Sequence, residues 1–430
     1  MILRGRLSWS SSDLMKLLWG NGVSTLGTSI YLVAVLLLLK DLTQSALVMG
    51  LFQFMALIPG FLLSPLAGVI IDRSSRRRVI ILADVARGIV MMLAGLALIV
   101  PALRHPALIL AVSFVVGAGN AFFVPAVQAL IPDIVSRQRL QQANGLRAGG
   151  NQLFNLTGNA VGGFLYTTLG APLVFMLNGV TFLLSALQET RIAASTDRRR
   201  QYGAAFSRVR TVWSQAREGL AAVLSRPHAR VLFLSQAGLF LLSPALLLAL
   251  PFIVIDEMAW PGGAVGLFFA ISIAGGVTLF LAASRVSVDR LLNLPAVPVA
   301  YFFLAVMFFL LGVTVNMVTL ILTAFTFGAA AGAVYLYTVT WIQARNHAHL
   351  HGRLFALLEA GNSLVAPISY VVTGFVLELL GPAGRYRLFL LLAGVALVWA
   401  LRMVPVRTGR PQGSVSVAVS YGMWYPEDTP

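Results

Sequence analysis

The chain has 430 residues, is 58% hydrophobic and only 11% charged, and has a mean hydropathy of +0.85, values that exclude a soluble globular protein. A formal charge of +16 would suit a nucleic-acid binder if the basic residues were clustered on one face, but they are scattered through short loops between long apolar runs. With no cysteine there is no disulfide, thiol nucleophile or thiolate metal site, and with few acids and no phosphate loop nothing supports an enzyme or a bound cofactor.

A helix needs about 20 apolar residues to cross about 30 Å of hydrocarbon. Twelve such segments are predicted, at 14–39, 46–71, 78–100, 106–130, 141–168, 171–190, 229–255, 262–285, 294–315, 317–344, 352–380 and 386–404. The first is too long for a signal-peptide core and lacks a small-residue cleavage site, so it is expected to be retained. The expected fold is an all-α membrane protein of two pseudo-symmetric six-helix bundles, 1–190 and 229–405, with a linker at 191–228 and a tail at 406–430. In the linker, Trp213, Leu220 and Leu224 can share one face of a surface helix, with Arg210, Arg217 and Arg226 toward lipid head groups.

Of the thirty-one basic residues, twenty-five fall in alternate loops, the termini and the linker, while the opposite loops hold Lys40, Arg104, Arg385 and Arg387. This bias places both termini in the cytoplasm of a multi-pass protein. The halves also resemble each other. A shift of 211 positions superposes Gly150 on Gly361, Asn151 on Asn362, Gly163 on Gly374 and Gly170 on Gly381, pairing helix 5 with helix 11.

Polar residues inside apolar segments mark a bundle interior or a watery cavity, because in lipid they lose hydrogen bonds. In chain order the cavity candidates are Asn21, Thr25 and Thr28 on helix 1, Gln53 on helix 2, Asn120 on helix 4, Gln236 on helix 7, and Tyr335 or Tyr337 on helix 10. Asp84 and Arg87, three apart on helix 3, are placed to pair. Helix 5 carries Asn151, Asn155 and Asn159 on one stripe, suited to helix packing, to cavity lining, or to both. Glu359 is the one carboxylate clearly inside an apolar run and is the candidate proton carrier, with Arg147 as a partner across the cavity; the plainer reading is an acid at the inner mouth bound to Arg147 or Arg353. His347, His349 and His351 alternate in a short loop without a carboxylate, which favours a solvated loop over a metal site.

Between helices 2 and 3 the chain reads Gly68-Val69-Ile70-Ile71-Asp72-Arg73-Ser74-Ser75-Arg76-Arg77-Arg78. Gly68, Asp72, Arg73, Arg76 and Arg77 match the loop 2–3 signature of the major facilitator superfamily, with Ser75 where glycine is usual. Asp289-Arg290 is a weaker echo between helices 8 and 9. Over residues 10–405 the chain resembles the subgroup of bacterial macrolide-efflux and enterobactin-exporter proteins, through Pro125-Ala126, Ile131-Pro132-Asp133 and Ala143-Asn144. Gly145, Gly158, Gly162 and Gly163 partly resemble the antiporter signature, with Phe154 and Asn159 departing from it.

The resemblance implies the major facilitator fold and a gating role for the loop 2–3 cluster, joined by Asp84, Arg87, Asp289 and Arg290. It also implies alternating access in a monomer in the bacterial inner membrane, with proton-coupled export of an amphipathic small molecule such as a macrolide or siderophore. Uptake or lysophospholipid flipping by the same fold is the second reading. A non-transporting membrane sensor is the third, and it leaves the Asp72-Arg73 cluster without a purpose.

Overall fold

The computed structural model describes residues 12–193, 227–287, 290–291, 295–345 and 348–403. The expected linker helix, Asp289 and His347 lie outside these residues, as do the side chains of Glu359 and Asn362.

The described chain is helical, with no strand among the described residues. The first four helices are α1 (Ser12–Thr43), α2 (Ala46–Arg73), α3 (Arg76–Ala97) and α4 (Pro106–Ile134). Ser45 caps α2 by accepting from the Val48 amide, and Pro106 opens α4 where a missing N–H costs nothing. Leu140–Thr190 is continuous except at Gly170, whose φ of 76° and ψ of 168° divide α5 (140–169) from α6 (171–190). Next come α7 (Pro227–Phe252), a π-helical turn at Ile253–Glu257, α8 (Gly263–Ala283), α9 (Ala296–Val313) and α10 (Met317–Arg345). Ala348–Met403 breaks at Gly381, with φ 64° and ψ −170°, into α11 (348–380) and α12 (382–403). The twelve helices are those expected, with ends shifted by a few residues.

Gly170 and Gly381 are the pair matched by the 211-residue shift, and each holds the same left-handed turn between consecutive helices. That conformation excludes a β-carbon at little cost only for glycine. The two halves therefore make the same sharp reversal at the same point.

The loops at 73–76, 134–140 and 190–193 define a basic face, and those at 43–46, 97–106 and 257–263, with Gly170 and Gly381, the far face. Small residues let helices approach closely within each half, with α1 against α5, α3 against α6, α2 against α4, and α8 against α10. The halves meet where α2 packs on α11 and α5 on α8. Gly374 lies against Ala46 and Leu47, and Gly163 against Gly262 and Gly263, so the repeat-matched glycines form the matched contacts. These contacts sit near the far face. Toward the basic face, a β-carbon at Gly68, Gly145, Gly149 or Gly361 would meet open space, whereas the glycine contacts that join the halves lie near the far face.

Candidate functional site

The far face is closed by charged residues from both halves. Lys40, in the last turn of α1, reaches Asp256 of the π-helical turn at 2.6 Å, with the lysine side chain 3% exposed and the aspartate 40%. The wide π turn presents its neighbour Glu257 to α12, where Arg385 bonds it at 3.2 Å and the Tyr386 hydroxyl donates to it. Phe252 lies between the two cations, 5.5 Å from Lys40 Nζ and 4.4 Å from the Arg385 guanidinium. Glu378 of α11 accepts from the Ser45 hydroxyl and, at 3.2 Å, from the Leu47 amide at the start of α2. Carboxylates favour that position because helix N-termini carry unpaired donors.

None of Asp256, Glu257, Arg385, Tyr386 or Lys40 was expected as a functional residue. The available signal was scarcity: the far loops hold few charges of either sign, and among them Lys40 pairs with Asp256 across the halves while Arg385 pairs with Glu257 within one.

On the basic face Arg76 and Arg77 of the loop 2–3 cluster bind within their own half. Arg76 donates to Asp133 at 2.7 Å and to the Ala129 carbonyl at 2.6 Å, fastening α3 to the end of α4. Arg77 donates to the Glu189 carbonyl at 3.0 Å and to the Thr190 carbonyl, closing the C-terminus of α6. Asp72 and Arg73 end α2 on exposed ground near Gly68. Ser75, in the usual glycine position, has φ −66°, so no glycine is required there. Arg290 is exposed, with its amide bonded to the Ser287 hydroxyl.

The expected cavity residues divide into three groups. Asn21 donates to Asn151 at 2.9 Å and Ser29 to Asn155 at 2.7 Å, a polar ladder between α1 and α5; Thr25 and Thr28 bond back to carbonyls of α1. Gly158 and Gly162 pack beside this ladder against the α1 backbone, and Asn159, Gly163 and the start of α8 complete the contact between halves, whereas Gly145 fronts open space. Arg147 lines a cavity of about 200 Å³ with Trp19, Asn151 and Phe154, and its Nε is buried without an acceptor among the described residues.

Gln53 of α2 contacts the Tyr370 hydroxyl of α11, which also meets Ser243 of α7, so it bridges the halves. Gln236 is buried with its side-chain oxygen unpaired, and Tyr337 is 6% exposed. Asn120, partly exposed, accepts from Arg87 where α3 packs on α4. Arg87 also binds Asp84 as expected, and its guanidinium is stacked 4.2 Å from Phe123 and 4.4 Å from Phe182.

The sequence pattern of the Major Facilitator Superfamily matches residues 17–353. The chain belongs to the major facilitator superfamily. It is thus a multi-pass membrane transporter for a small molecule. It is 24% identical over 375 residues to the MFS-type transporter y4rN of Sinorhizobium fredii, covering 85% of this chain and 88% of that one. Macrolide efflux protein A of Streptococcus pyogenes is 26% identical over 151 residues, 34% of this chain and 36% of its own. The putative bacilysin exporter BacE of Bacillus subtilis is 29% identical over 176 residues, 41% of this chain and 43% of its own. Among solved structures, the nucleoside transporter NupG superposes with a TM-score of 0.68 at 13% identity, covering 93% of this chain and 100% of that one. The major facilitator architecture accounts for the paired α2–α11 and α5–α8 contacts between bundles.

Proposed function

We propose that this transporter is a proton-coupled exporter of an amphipathic small molecule, of the macrolide, peptide-antibiotic or siderophore kind, working by alternating access in the bacterial inner membrane. The observation that carries this reading is the asymmetry between its two faces. The contacts between the halves gather at the far face, latched by Lys40, Asp256 and Glu378, while Gly68, Gly145, Gly149 and Gly361 front open space toward the face that the basic residues assign to the cytoplasm. A cargo taken from the cytoplasm or inner leaflet would meet this opening first. The macrolide and bacilysin exporters among the relatives support the direction and the cargo class.

In this reading the halves 1–190 and 229–405 rock about the α2–α11 and α5–α8 contacts. The loop 2–3 cluster, with Asp72 at its centre, exchanges contacts as the basic face closes. Asn21, Asn151 and Asn155 offer hydrogen bonds to the cargo beside the aromatic pair Trp19 and Phe154, whose ring centroids are 6.1 Å apart. Glu359 remains the candidate proton carrier in the C-terminal half.

The test is accumulation of labelled erythromycin in cells with and without the protein, then in proteoliposomes under an imposed pH gradient. Lower accumulation that depends on the gradient supports the reading. Unchanged accumulation, or gradient-driven movement in the opposite direction, overturns it. Asp72→Asn is expected to insert normally and to slow turnover; full transport by that variant removes the gate assignment.

A further inference from the structure

Inside the N-terminal half, α3, α4 and α6 bring two carboxyl groups to one guanidinium. Asp84 and Glu189 are both 0% exposed and Arg87 is 3% exposed. Arg87 directs Nη2 to Asp84 Oδ1, Nη1 to Asn120 Oδ1 and Nε to the Ala83 carbonyl at 3.3 Å, with an aromatic ring on each side. Glu189 has the Ser185 hydroxyl at 3.4 Å from Oε1, and its Oε2, like Asp84 Oδ2, is buried with no hydrogen-bond partner. Ser185 also faces the Asp84 carboxyl. A hydroxyl carries one proton, so it cannot donate to both carboxylates at once.

Among the described residues the charge count around the site is equally short by one. On α3, Arg77 is committed to the backbone carbonyls of Glu189 and Thr190, and Arg76 to Asp133 and Ala129. On α4 the facing groups are Asn120 and Phe123, both uncharged. On α1, Lys16 holds Asp13 and the Arg191 carbonyl, Asp13 accepts the Ala193 amide, and Gly20 is the residue packed on Ser185. One guanidinium thus balances one carboxylate, and a second buried anion with no counter-charge and only a shared hydroxyl as donor is strongly disfavoured. A proton on the carboxyl pair restores neutrality and supplies the missing donor.

We propose that the Asp84–Arg87–Glu189 cluster is a proton-binding site, holding one proton between Glu189 and Asp84 in this conformation. The binding stands on its own geometry; its link to transport rests on the reading of the chain as a proton-coupled carrier. That link runs through Arg77, because the loop 2–3 cluster grips the carbonyl of the same Glu189 whose side chain takes the proton. Loss of the proton sets two carboxylates competing for Arg87, which pulls against Asn120 and loosens α6 from α4.

Infrared difference spectroscopy on the purified full-length protein in nanodiscs tests the binding. The expected result is a carbonyl band of a protonated carboxyl at neutral pH that shifts in heavy water, is lost in Glu189→Gln, and is retained in Glu359→Gln. Glu189→Gln is nearly isosteric and removes the need for the proton, so its melting temperature should equal or exceed that of the parent. A parent protein without the band, or a band unchanged in both Glu189→Gln and Asp84→Asn, overturns the proposal.

The link to transport is read in proteoliposomes with erythromycin as cargo and a trapped pH dye. Glu189→Gln should lose the acceleration given by a pH gradient while keeping exchange in its absence. Full acceleration in that variant overturns the link. If the parent itself ignores the gradient, the exporter reading fails, and the spectroscopic result still decides the site.

Discussion

Lys40 Nζ and Asp256 Oδ1 stand 2.6 Å apart and join α1 to α7 across the boundary between the halves. The lysine is almost fully buried and the aspartate is half-exposed, so the pair is worth more than a surface bridge and less than a fully buried one. Replacing Asp256 by Asn leaves Lys40 short of a counter-charge only in the closed far face. We expect a shift of about 1–2 kcal/mol toward the far-open state, a roughly tenfold population change. The chain has no cysteine, so spin labels at introduced far-face cysteines on α1 and α7 can report that shift without background. An unchanged distance distribution counts against the latch.

A second prediction concerns the contact of α5 with α8. A β-carbon at Gly266 would strike the Asn159 carbonyl, and one at Gly163 would lie 2.8 Å from the Gly262 carbonyl. Gly266→Leu should therefore force the halves apart at the far face and cost about 1–3 kcal/mol in that conformation. Thermal melting should drop, and far-face accessibility to a membrane-impermeant thiol reagent should rise at a nearby engineered cysteine. Gly145→Leu, at an open position, should leave the melting temperature of this conformation unchanged.

Arg87 supplies the third. Its removal strands Asp84 and Glu189 in a buried site, so Arg87→Leu is expected to destabilise by about 3–5 kcal/mol. Arg76→Ala breaks a pair whose side chains are 24% and 38% exposed and should cost under about 1 kcal/mol. Melting of the two variants in the same detergent checks the ranking, and an equal loss would mean that Arg87 is not the charge centre of its half.

Gly170 and Gly381 give the fourth. Both hold a backbone conformation that a β-carbon strains by roughly 1–3 kcal/mol. Gly170→Ala and Gly381→Ala should destabilise to a similar degree, since they occupy equivalent reversals. A large loss at one and none at the other would argue against their equivalence.

Much of this fold was legible in the sequence because lipid imposes one simple pattern. Apolar runs of spanning length separated by charge locate helices with little competition from other structures. Gly170 and Gly381 were visible as a matched pair, and the left-handed turns explain why both are glycine. Asp84 and Arg87 were legible as a pair because three-residue spacing puts them on one face. Glu189 was not, since it lies 105 positions away and joins them only when α6 packs on α3. The far-face latch was hidden for the same reason. Lys40, Asp256 and Glu378 look like ordinary loop-end charges until the two halves are set together. Asn120 shows the converse: a polar residue in an apolar helix announces that it has a partner, but only the packing of α3 on α4 shows that the partner is Arg87.

The single-residue reversal at Gly170 has a mechanical consequence. A joint with no intervening loop has no slack, so α5 and α6 must tilt as one bent lever pivoting at the far face. One arm packs on α8 at the seam between the halves, and the other ends at Glu189 and the grip of Arg77. Motion at the seam is therefore delivered to the tip of α6 without a separate transmission element, and Gly381 gives the opposite half a lever of the same design.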